Sequence, residues 1–292
     1  MPGNDSYTKL LLHMDDTGLT DSSSSSHSVT LNGDAAISAV QNKFGGYSAN
    51  FNGAGYLSIP NHADFNFGTG NFTIDFWIRK TVSDLQYIIA HNDGVALNSD
   101  WAIGIWAGTV AGFHLSYGLT NYNVTTTSNI TEDNLFHHIA IVRNGSDVKI
   151  ACDGIFEDTV DVNGVNPNGV SSPFIIGRRG TASDYYLNAY IDELRVSKGI
   201  ARWTEDFTPP EYPYASSAYS IQGSSNDSAE VIIINESNWE VNNHGSRSAG
   251  SYDIATSSGT KLIVAKRSDG EIISYGNVNS VLSETNNNGN IA

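Results

Sequence analysis

The sequence predicts an all-β protein, and three features support this class. Residues 72–79, "FTIDFWIR", alternate strictly, which is the period of a β-strand. Asn144-Gly145 and Asp153-Gly154 each separate two runs of strand-forming residues, and such pairs supply the positive φ of tight hairpin turns. No window keeps a helical spacing of apolar residues over three turns. We therefore expect strands throughout the chain, with only short helical turns.

The first strands follow from these patterns in chain order. In residues 72–79 the alternation places Phe72, Ile74, Phe76 and Ile78 in the core, and the opposite side, which includes Asp75, in solvent. Residues 101–106 and 112–118 form a second expected hairpin. Residues 138–160 read as a three-stranded meander with Cys152 in a buried strand. Because Cys152 is the only cysteine, no intrachain disulfide can form, and we expect a core residue there.

Composition limits the class of partner. The chain has 292 residues, which is enough for one large β domain and a small one. Lys and Arg number 15 against 31 Asp and Glu, and the formal net charge is −16. This charge disfavours nucleic acid and anionic membranes and favours cations. No apolar run reaches the roughly 18–20 residues of a membrane span, and "LLLH" near the N-terminus is too short for a signal peptide. We expect a soluble protein made without a secretory signal.

A domain boundary is predicted near residues 210–218. The segment 208–220, "TPPEYPYASSAYS", is rich in proline and then in small polar residues, as linkers are. We therefore divide the chain into a first domain at 1–210, a linker at 211–218 and a second domain at 219–292. Four apolar runs in the last part predict a small β-sandwich: 229–234, 250–255, 260–267 and 271–276.

Five segments of the first domain resemble the laminin-G-like, concanavalin-A-like jelly roll found in many bacteriophage tail and virion proteins: 10–33, 43–79, 136–154, 174–179 and 190–210. The resemblance implies two antiparallel sheets packed face to face, one of them bent into a concave surface. One departure is Phe136, where such domains usually carry Trp. The segment 219–281 resembles small transthyretin-like or carboxypeptidase-regulatory-like sandwiches.

The stretch 191–210, "IDELRVSKGIARWTEDFTPP", places an acidic pair within an otherwise apolar strand. Strict alternation puts Asp192 on the same side as Leu194 and Val196, where an unpaired charge costs several kcal/mol. The resemblance implies that this strand meets the N-terminal strand and that Asp192 helps to hold a structural cation or bonds to the first strand's loop.

Calcium is the cation that this arrangement predicts. Asp15 and Asp16 follow the first strand, and together with Asp192 they supply the hard oxygen ligands that Ca²⁺ prefers. The alternative is that Asp15 caps the turn at 17–18, while Asp192 bonds to backbone amides or to Arg195 or Arg202.

No catalytic constellation is predicted. Glycosidases of this fold need paired carboxylates that point into one cleft, whereas Asp75 is the only acid on the corresponding strand. His137 and His138 are adjacent in a strand, so they face opposite sides and cannot chelate one ion together. We interpret them as one packed and one exposed histidine. Phosphate loops, Ser-His-Asp arrangements and zinc-ligand spacings are absent from the sequence.

Sugar binding remains a candidate function, because sugars stack on flat aromatic faces and bond to planar polar groups. Tyr185-Tyr186 lies in the polar stretch "GTASDYY" and is our first choice for a contact loop, with Arg178 and Arg179 nearby. The full set of aromatic candidates is Trp101, Trp106, Tyr117, Tyr122, Tyr185 and Tyr186.

The hypothesis from sequence is a bacteriophage virion surface protein, associated with the tail or decorating the capsid, with a non-catalytic lectin-like domain. Its expected partners are other virion proteins, further copies of itself and surface glycans, and its expected location is the virion. The alternatives are a purely structural jelly roll without a ligand and, less favoured, a glycoside hydrolase.

Overall fold

The computed structural model describes residues 4–15, 19–80, 82, 84–92, 101–106, 110–117, 120–131, 133–166, 171–182 and 184–214, together with the backbone of strands between 219 and 278. The chain is all-β and falls into two compact units. One unit is Ser6–Pro213, and the other includes the strands after residue 219. A short 3₁₀ helix, Ala63–Phe65, is the one helix among the described residues. None of those residues forms a helix long and apolar enough to cross a bilayer.

The unit Ser6–Pro213 contains two antiparallel sheets. We number the strands in chain order. The first sheet has the order β13-β12-β11-β6-β15-β4-β3, and β1 also pairs with β15. Its strands are β1 (Thr8–Leu12), β3 (Ala36–Ser38), β4 (Ser48–Asn52), β6 (Phe72–Lys80), β11 (His137–Asn144), β12 (Asp147–Cys152), β13 (Ile155–Asp161) and β15 (Asn188–Lys198).

The second sheet has the order β10-β9-β8-β7-β14-β5-β2. Alternating apolar residues of the two sheets form one continuous core, which includes Ile74 of β6 and Ile103 of β8. The strands of the second sheet are β2 (Thr30–Gly33), β5 (Gly55–Ile59), β7 (Gln86–His91), β8 (Trp101–Trp106), β9 (Val110–Tyr117), β10 (Thr120–Thr125) and β14 (Phe174–Ile176). The predicted jelly-roll class is confirmed.

The acidic pair lies where β15 changes neighbours. Residues 188–191 of β15 pair with β4, whereas residues 194–197 pair with β1. On the opposite side, the register with β6 shifts between Asp192 and Arg195, and Glu193 has a φ of 48°. This bulge interrupts the alternation, so Ile191 and Leu194 both enter the core. The predicted placement of Asp192 on the side of Leu194 is therefore wrong. Asp192 lies opposite Trp77, whose ring contacts His138 outside the main core.

The face of the first sheet that points away from the core is covered by the chain itself. Trp203 and Phe207 stack with ring centroids 4.1 Å apart and pack against Ala140, Val142 and Ala151. Residues 72–78 are all buried, so the expectation that one side of residues 72–79 is in solvent is wrong. The segment that follows β15 turns back over this face and buries it.

The second unit contains two further antiparallel sheets, which we describe by themselves. Strands β16 and β19 form a pair, and the other four strands have the order β18-β17-β20-β21. The strands are β16 (Tyr219–Ser225), β17 (Ala229–Asn235), β18 (Glu240–Arg247), β19 (Gly250–Thr256), β20 (Lys261–Arg267) and β21 (Ile272–Val278). That they form a small sandwich stays a prediction, as do the domain and linker boundaries.

Candidate functional site

Three strands of the second sheet bring together a group of aromatic and cationic side chains. Strand β14 lies between β5 and β7, with Ile176 paired to Leu57 on one side and Ile89 on the other. The residues that follow β14 therefore lie beside the outward side chains of its two neighbours. We call the resulting group the tyrosine–arginine cluster, and its members are Tyr56, Tyr87, Arg178, Arg179, Tyr185 and Tyr186.

Gly177 directs the chain from β14 into this cluster. Its φ is 100°, and its amide donates to the carbonyl of Ile88 at 2.8 Å. A Cβ at this position would meet the Phe51 ring at 2.6 Å, so a larger residue is excluded on two grounds. The amide of Leu187 donates to the Gly177 carbonyl at 2.8 Å and closes the loop that carries the other side chains.

Arg178 is the centre of one half of the cluster. Its guanidinium carbon lies 3.6 Å from the centre of the Tyr56 ring and 5.9 Å from that of Tyr186. Its Nη1 donates to the Tyr186 hydroxyl at 3.3 Å. The two tyrosine rings are 6.4 Å apart. These cation–π contacts hold two aromatic faces and one planar cation in a fixed arrangement.

Arg179 organises the other half. Its guanidinium carbon lies 5.2 Å from the Tyr185 ring centre, and its Nη2 lies 2.9 Å from a carboxylate oxygen of Asp184. The rings of Tyr185 and Tyr87 are 6.0 Å apart, and the Tyr87 amide donates to the Tyr185 carbonyl at 3.1 Å. Burial raises the pKa of the Tyr87 hydroxyl, while Arg179 acts to lower it.

The cluster is open to solvent and retains unused polar atoms. Tyr185 is 45% exposed, and its φ of 50° is a strained conformation for a bulky residue. Three shielded atoms have no hydrogen-bond partner among the described residues: Arg178 Nε, Arg179 Nε and Asp184 Oδ1. The exposed ring of Tyr185 beside planar hydrogen-bonding groups is suited to a ligand with apolar C–H faces and hydroxyl rims.

The other aromatic candidates do not join the cluster. Trp101 is fully buried in the core, where its ring lies 5.4 Å from that of Phe67, so it cannot contact a sugar and its prediction is wrong. Tyr122 packs against the same core from the inner side of β10. The side chains of Trp106 and Tyr117 lie outside the described residues.

Two members of the cluster, Tyr56 and Tyr87, were not predicted from the sequence. Each occupies an outward position in a strand that otherwise reads as core, and the two are far from Tyr185-Tyr186 in sequence. The pattern of β5, in which Gly55, Leu57 and Ile59 are buried, could have identified Tyr56 as outward-facing. Which loop it faces depends on the strand order.

Asp192 is held within the first sheet by backbone amides. Its Oδ2 accepts from the amides of Lys43 and Phe44 at 2.7 and 3.0 Å, whereas its buried Oδ1 has no partner among the described residues. Burial raises the pKa of Asp192 to about 7, against the opposing effect of the two amides. Asp15 is exposed and borders the same loop, because a Cβ on Gly45 would lie 2.7 Å from the Asp15 Cβ.

The neighbouring acid of the pair has a different partner. Glu193 Oε1 lies 2.8 Å from Nδ1 of His13, which follows β1. Burial acts to lower the pKa of His13, but the bond to Glu193 and the nearby charges of Asp15 and Asp192 outweigh it and raise that pKa. Asp192 thus bonds to the segment before β4, and Glu193 bonds to the segment after β1, at the point where β15 changes neighbours. Asp16, the third predicted calcium ligand, lies outside the described residues.

Asp75 is unsuited to glycoside hydrolysis. It is fully buried, its Oδ1 accepts from Nε of Arg195 at 2.9 Å, and its Oδ2 lies 3.5 Å from His138 Nε2. The rings of Trp203 and Phe207 approach His138 within 5.7 and 5.8 Å and close this site from outside. A substrate has no access to this carboxylate.

The two adjacent histidines face opposite sides, as predicted, but neither is freely exposed. His138 is fully buried, and the side chain of His137 is only 12% exposed. His137 lies 2.7 Å from Asp153 through Nδ1 and 2.8 Å from Asp133 through Nε2. Hydrogen bonding to Asp153, followed by contributions from Cys152 and Asp133, raises the pKa of His137 to about 10 despite burial. The expectation of an exposed histidine is therefore wrong for His137.

Comparison with solved structures shows the fold. The chain superposes on the binding domain of Paraclostridial Mosquitocidal Protein 1 with a TM-score of 0.56 and 12% sequence identity, covering 89% of this chain and 64% of that one. It superposes on the binding domain of botulinum neurotoxin DC, solved in complex with SialylT, with a TM-score of 0.54 and 16% identity, covering 90% and 72%.

A third similar structure concerns botulinum neurotoxin type C, and its description states that cell entry of this toxin is dependent upon interaction with two ganglioside molecules. The TM-score is 0.52 at 17% identity, with 88% of this chain and 65% of that one covered. The chain thus spans less than two thirds of the length of two of these three structures. No curated protein matches the sequence significantly.

A family comparison matches residues 51–205, which is more than half of the chain. The matched segment runs from β4 to the residues just past β15 and includes every member of the tyrosine–arginine cluster. The chain belongs to the concanavalin A-like lectin/glucanases superfamily.

Proposed function

We propose that this protein binds carbohydrate without cleaving it, through the tyrosine–arginine cluster. The observation that carries the proposal is the exposed ring of Tyr185, which lies 5.2 Å from the guanidinium carbon of Arg179. Rings fixed by neighbouring cations lose little conformational entropy when a sugar packs on them. The burial of Asp75 supports a non-catalytic function.

The similar binding domains support this proposal at the level of fold. One of them was solved in complex with SialylT, and the description of another refers to ganglioside molecules. We propose a surface-glycan ligand for this chain on the basis of its own cluster. An open site is expected to bind weakly, so several copies would be needed for strong attachment.

We further propose that the protein acts on the surface of a bacteriophage virion, where its partners are other virion proteins and further copies of itself. The resemblance of the first unit to jelly rolls of phage tail and virion proteins supports this context. A structural role without a ligand is the competing function, and the exposure of Tyr185 argues against it. Contacts in an intact particle, determined by electron cryomicroscopy, would test the context separately from sugar binding.

A glycan array with a multimerised full-length chain tests the binding function. We expect binding to a subset of glycans, and we expect Tyr185→Ala to abolish detectable binding while the melting temperature stays near that of the wild type. Tyr47→Ala is the matched control, because Tyr47 is 39% exposed and lies outside the cluster. Equal binding by wild type and Tyr185→Ala, or no binding to any glycan, would contradict the proposal. Release of reducing sugar from a bound glycan would contradict its non-catalytic part.

We also propose Ca²⁺ as a structural ligand beside Asp15 and Asp192. Two observations fit the ion: the Asp192 Oδ1 is buried without a described partner, and Asp15 borders the loop whose amides hold Oδ2. Ca²⁺ prefers carboxylate and carbonyl oxygens, and it would neutralise the charge of a buried carboxylate whose pKa burial raises to about 7.

A further inference from the structure

Two histidines and an aspartate converge at one end of the sandwich, away from the tyrosine–arginine cluster. His27 comes from the segment before β2, whereas His62 and Asp64 stand at the start of the 3₁₀ helix Ala63–Phe65. His27 Nε2 and His62 Nδ1 each lie 3.1 Å from the same atom, Oδ2 of Asp64. The three candidate ligand atoms lie within 4.8 Å of one another.

These separations suit a tetrahedral zinc site. With Zn–N and Zn–O distances near 2.0–2.2 Å, the ligand atoms at the corners of a tetrahedron are about 3.3 Å apart. The two nitrogen–oxygen separations of 3.1 Å are close to this value. Two imidazoles and one carboxylate also match the preference of Zn²⁺ for nitrogen and oxygen ligands, and they leave a fourth position for water.

Hydrogen bonds to Asp21 hold the segment that carries His27 in position. The Oδ2 of Asp21 accepts from the His27 amide at 2.7 Å, and its Oδ1 accepts from the amides of Leu11 and Ser23, both at 2.9 Å. Asp21 therefore ties the segment to β1 and presents the His27 side chain. The ring of Phe65, 5.0 Å away, packs against the His27 ring and limits its rotation. A ligand held in this way loses little entropy on binding a metal.

The carboxylate ligand is also held, and the site is accessible. Ser25 Oγ donates to Asp64 Oδ2 at 2.7 Å, which orients the carboxylate. The pKa of Asp64 lies below its ordinary value, because Ser25 and the two histidines outweigh the effect of its burial. The His62 side chain is 54% exposed, whereas those of His27 and Asp64 are 9% and 18% exposed. A metal ion can therefore approach from the His62 side.

Metal binding has one local cost. His62 Nδ1 accepts from the Asp64 amide at 3.2 Å, which caps the 3₁₀ helix, and coordination through Nδ1 would replace this long bond. The loss of one such long hydrogen bond is small beside the gain of a metal–ligand bond. The grouping of His137, Cys152 and Asp153 is less suitable, because both nitrogens of His137 already bond to carboxylates.

We propose that His27, His62 and Asp64 bind one Zn²⁺ ion, which fastens the segment before β2 to the 3₁₀ helix. The sequence lacks a zinc motif because the ligands come from two segments that meet only in the folded chain. The proposal is independent of glycan binding and of Ca²⁺.

The test uses the metal-free full-length chain, titrated with zinc chloride by calorimetry and melted with and without one equivalent of zinc. We expect one ion per chain, a higher melting temperature with zinc, and retention after dialysis against Ca²⁺. Replacement by Co²⁺ should give the visible absorption of a four-coordinate ion with nitrogen ligands. His62→Ala should weaken zinc binding at least about tenfold, since it removes a ligand from an exposed position.

Two further variants keep the test decisive. His27→Asn checks the second ligand, and circular dichroism establishes whether that variant folds. His114→Ala is the matched control, because His114 lies on β9 and its Nδ1 contacts Asn123 at 2.6 Å. Failure of the wild type to bind zinc at millimolar concentration would overturn the proposal. So would equal zinc affinity in the wild type, His62→Ala and His27→Asn.

Discussion

The guanidinium carbon of Arg178 lies 3.6 Å from the centre of the Tyr56 ring, and this contact joins the end of β14 to the outward face of β5. An arginine stacked on a tyrosine is more weakly hydrated than a lysine and presents a planar donor group. The pair therefore fixes a planar donor group beside Tyr186, which precedes the end of the loop that also carries Tyr185.

Arg178→Lys should weaken glycan binding several-fold while changing stability by only about 1 kcal/mol. The ammonium keeps the charge but cannot stack as a plane or bond to the Tyr186 hydroxyl from the same position. The measurement is binding of a glycan identified on the array, with urea unfolding in parallel. Arg79→Lys is the control, since Arg79 bonds to Asn134. Equal losses in the two variants would show that arginine content, not this contact, matters.

Gly154→Ala should destabilise the protein much more than Gly145→Ala. Both glycines occupy hairpin turns with positive φ, 86° and 63°, so each substitution costs about 1 kcal/mol for the backbone. A Cβ on Gly145 meets nothing within 4 Å, whereas one on Gly154 would overlap the carbonyl oxygen of Phe207. We expect a total loss of roughly 3 kcal/mol for Gly154→Ala, measured by urea unfolding. Similar losses for the two variants would mean that Phe207 does not pack on this turn in solution.

Calcium should raise the melting temperature of the full-length chain. At a free concentration about 100 times the dissociation constant, binding adds about 2.7 kcal/mol, or roughly 5–11 °C for a unit of this size. The measurement is thermal unfolding of the metal-free chain with and without millimolar Ca²⁺, because a chelator would also remove zinc. Asp15→Asn is the safer variant because Asp15 is exposed, and it should reduce the shift. Equal melting temperatures of the wild type in both buffers would leave Asp192 with its hydrogen-bonding function only.

The stability of the protein should decrease as the pH rises from about 6.5 towards 8, above which Lys80, whose pKa burial lowers to about 8, acts in the opposite direction. The pKa of His137 is raised to about 10 in the folded state, so the folded chain holds a proton that the unfolded chain releases near pH 6.5. Its stabilising contribution is complete below pH 6.5 and is lost as the pH approaches 10. Burial also raises the pKa of the Cys152 thiol, which acts in the same direction at higher pH.

Asp153→Asn is the matched variant for this pH dependence. It removes the charge next to His137 but keeps an oxygen that can accept from the His138 amide, and asparagine tolerates the φ of 48° at this turn. Urea unfolding at several pH values between about 6.5 and 8 should give a shallower decline for the variant. An identical pH profile for the two proteins would show that the His137–Asp153 pair does not carry the effect.

Local chemistry determined the strands and their turns. The alternation of residues 72–79 predicts β6, which the structure extends to Lys80, and Asn144-Gly145 and Asp153-Gly154 connect the three strands β11, β12 and β13 as expected. These features depend on side-chain period and on backbone φ preferences, which neighbouring residues set by themselves.

The candidate sites could be predicted only in part. Tyr185 and Tyr186 were recognisable because they lie in a polar loop, whereas Tyr56 and Tyr87 join them through the position of β14 between β5 and β7. Trp101 is an aromatic residue of the kind that contacts sugars, but it lies in the core. Composition does not distinguish these two roles, since an aromatic ring is equally able to pack inside or to stack on a ligand.

The sequence by itself determined that the chain forms strands, which residues alternate along them and where the tight hairpins turn. The tertiary structure decided which faces are buried, because Trp203 and Phe207 pack on β11 and β12 and cover the outer face of the first sheet, which alternation leaves open. It also decided the function of the acidic pair. Strands β4 and β1 pair with consecutive parts of β15, and between these parts Asp192 bonds to the segment before β4 and Glu193 to the segment after β1. Such pairings join residues far apart in the chain, and their energy comes from burial and hydrogen bonds that exist only after the sheets have assembled.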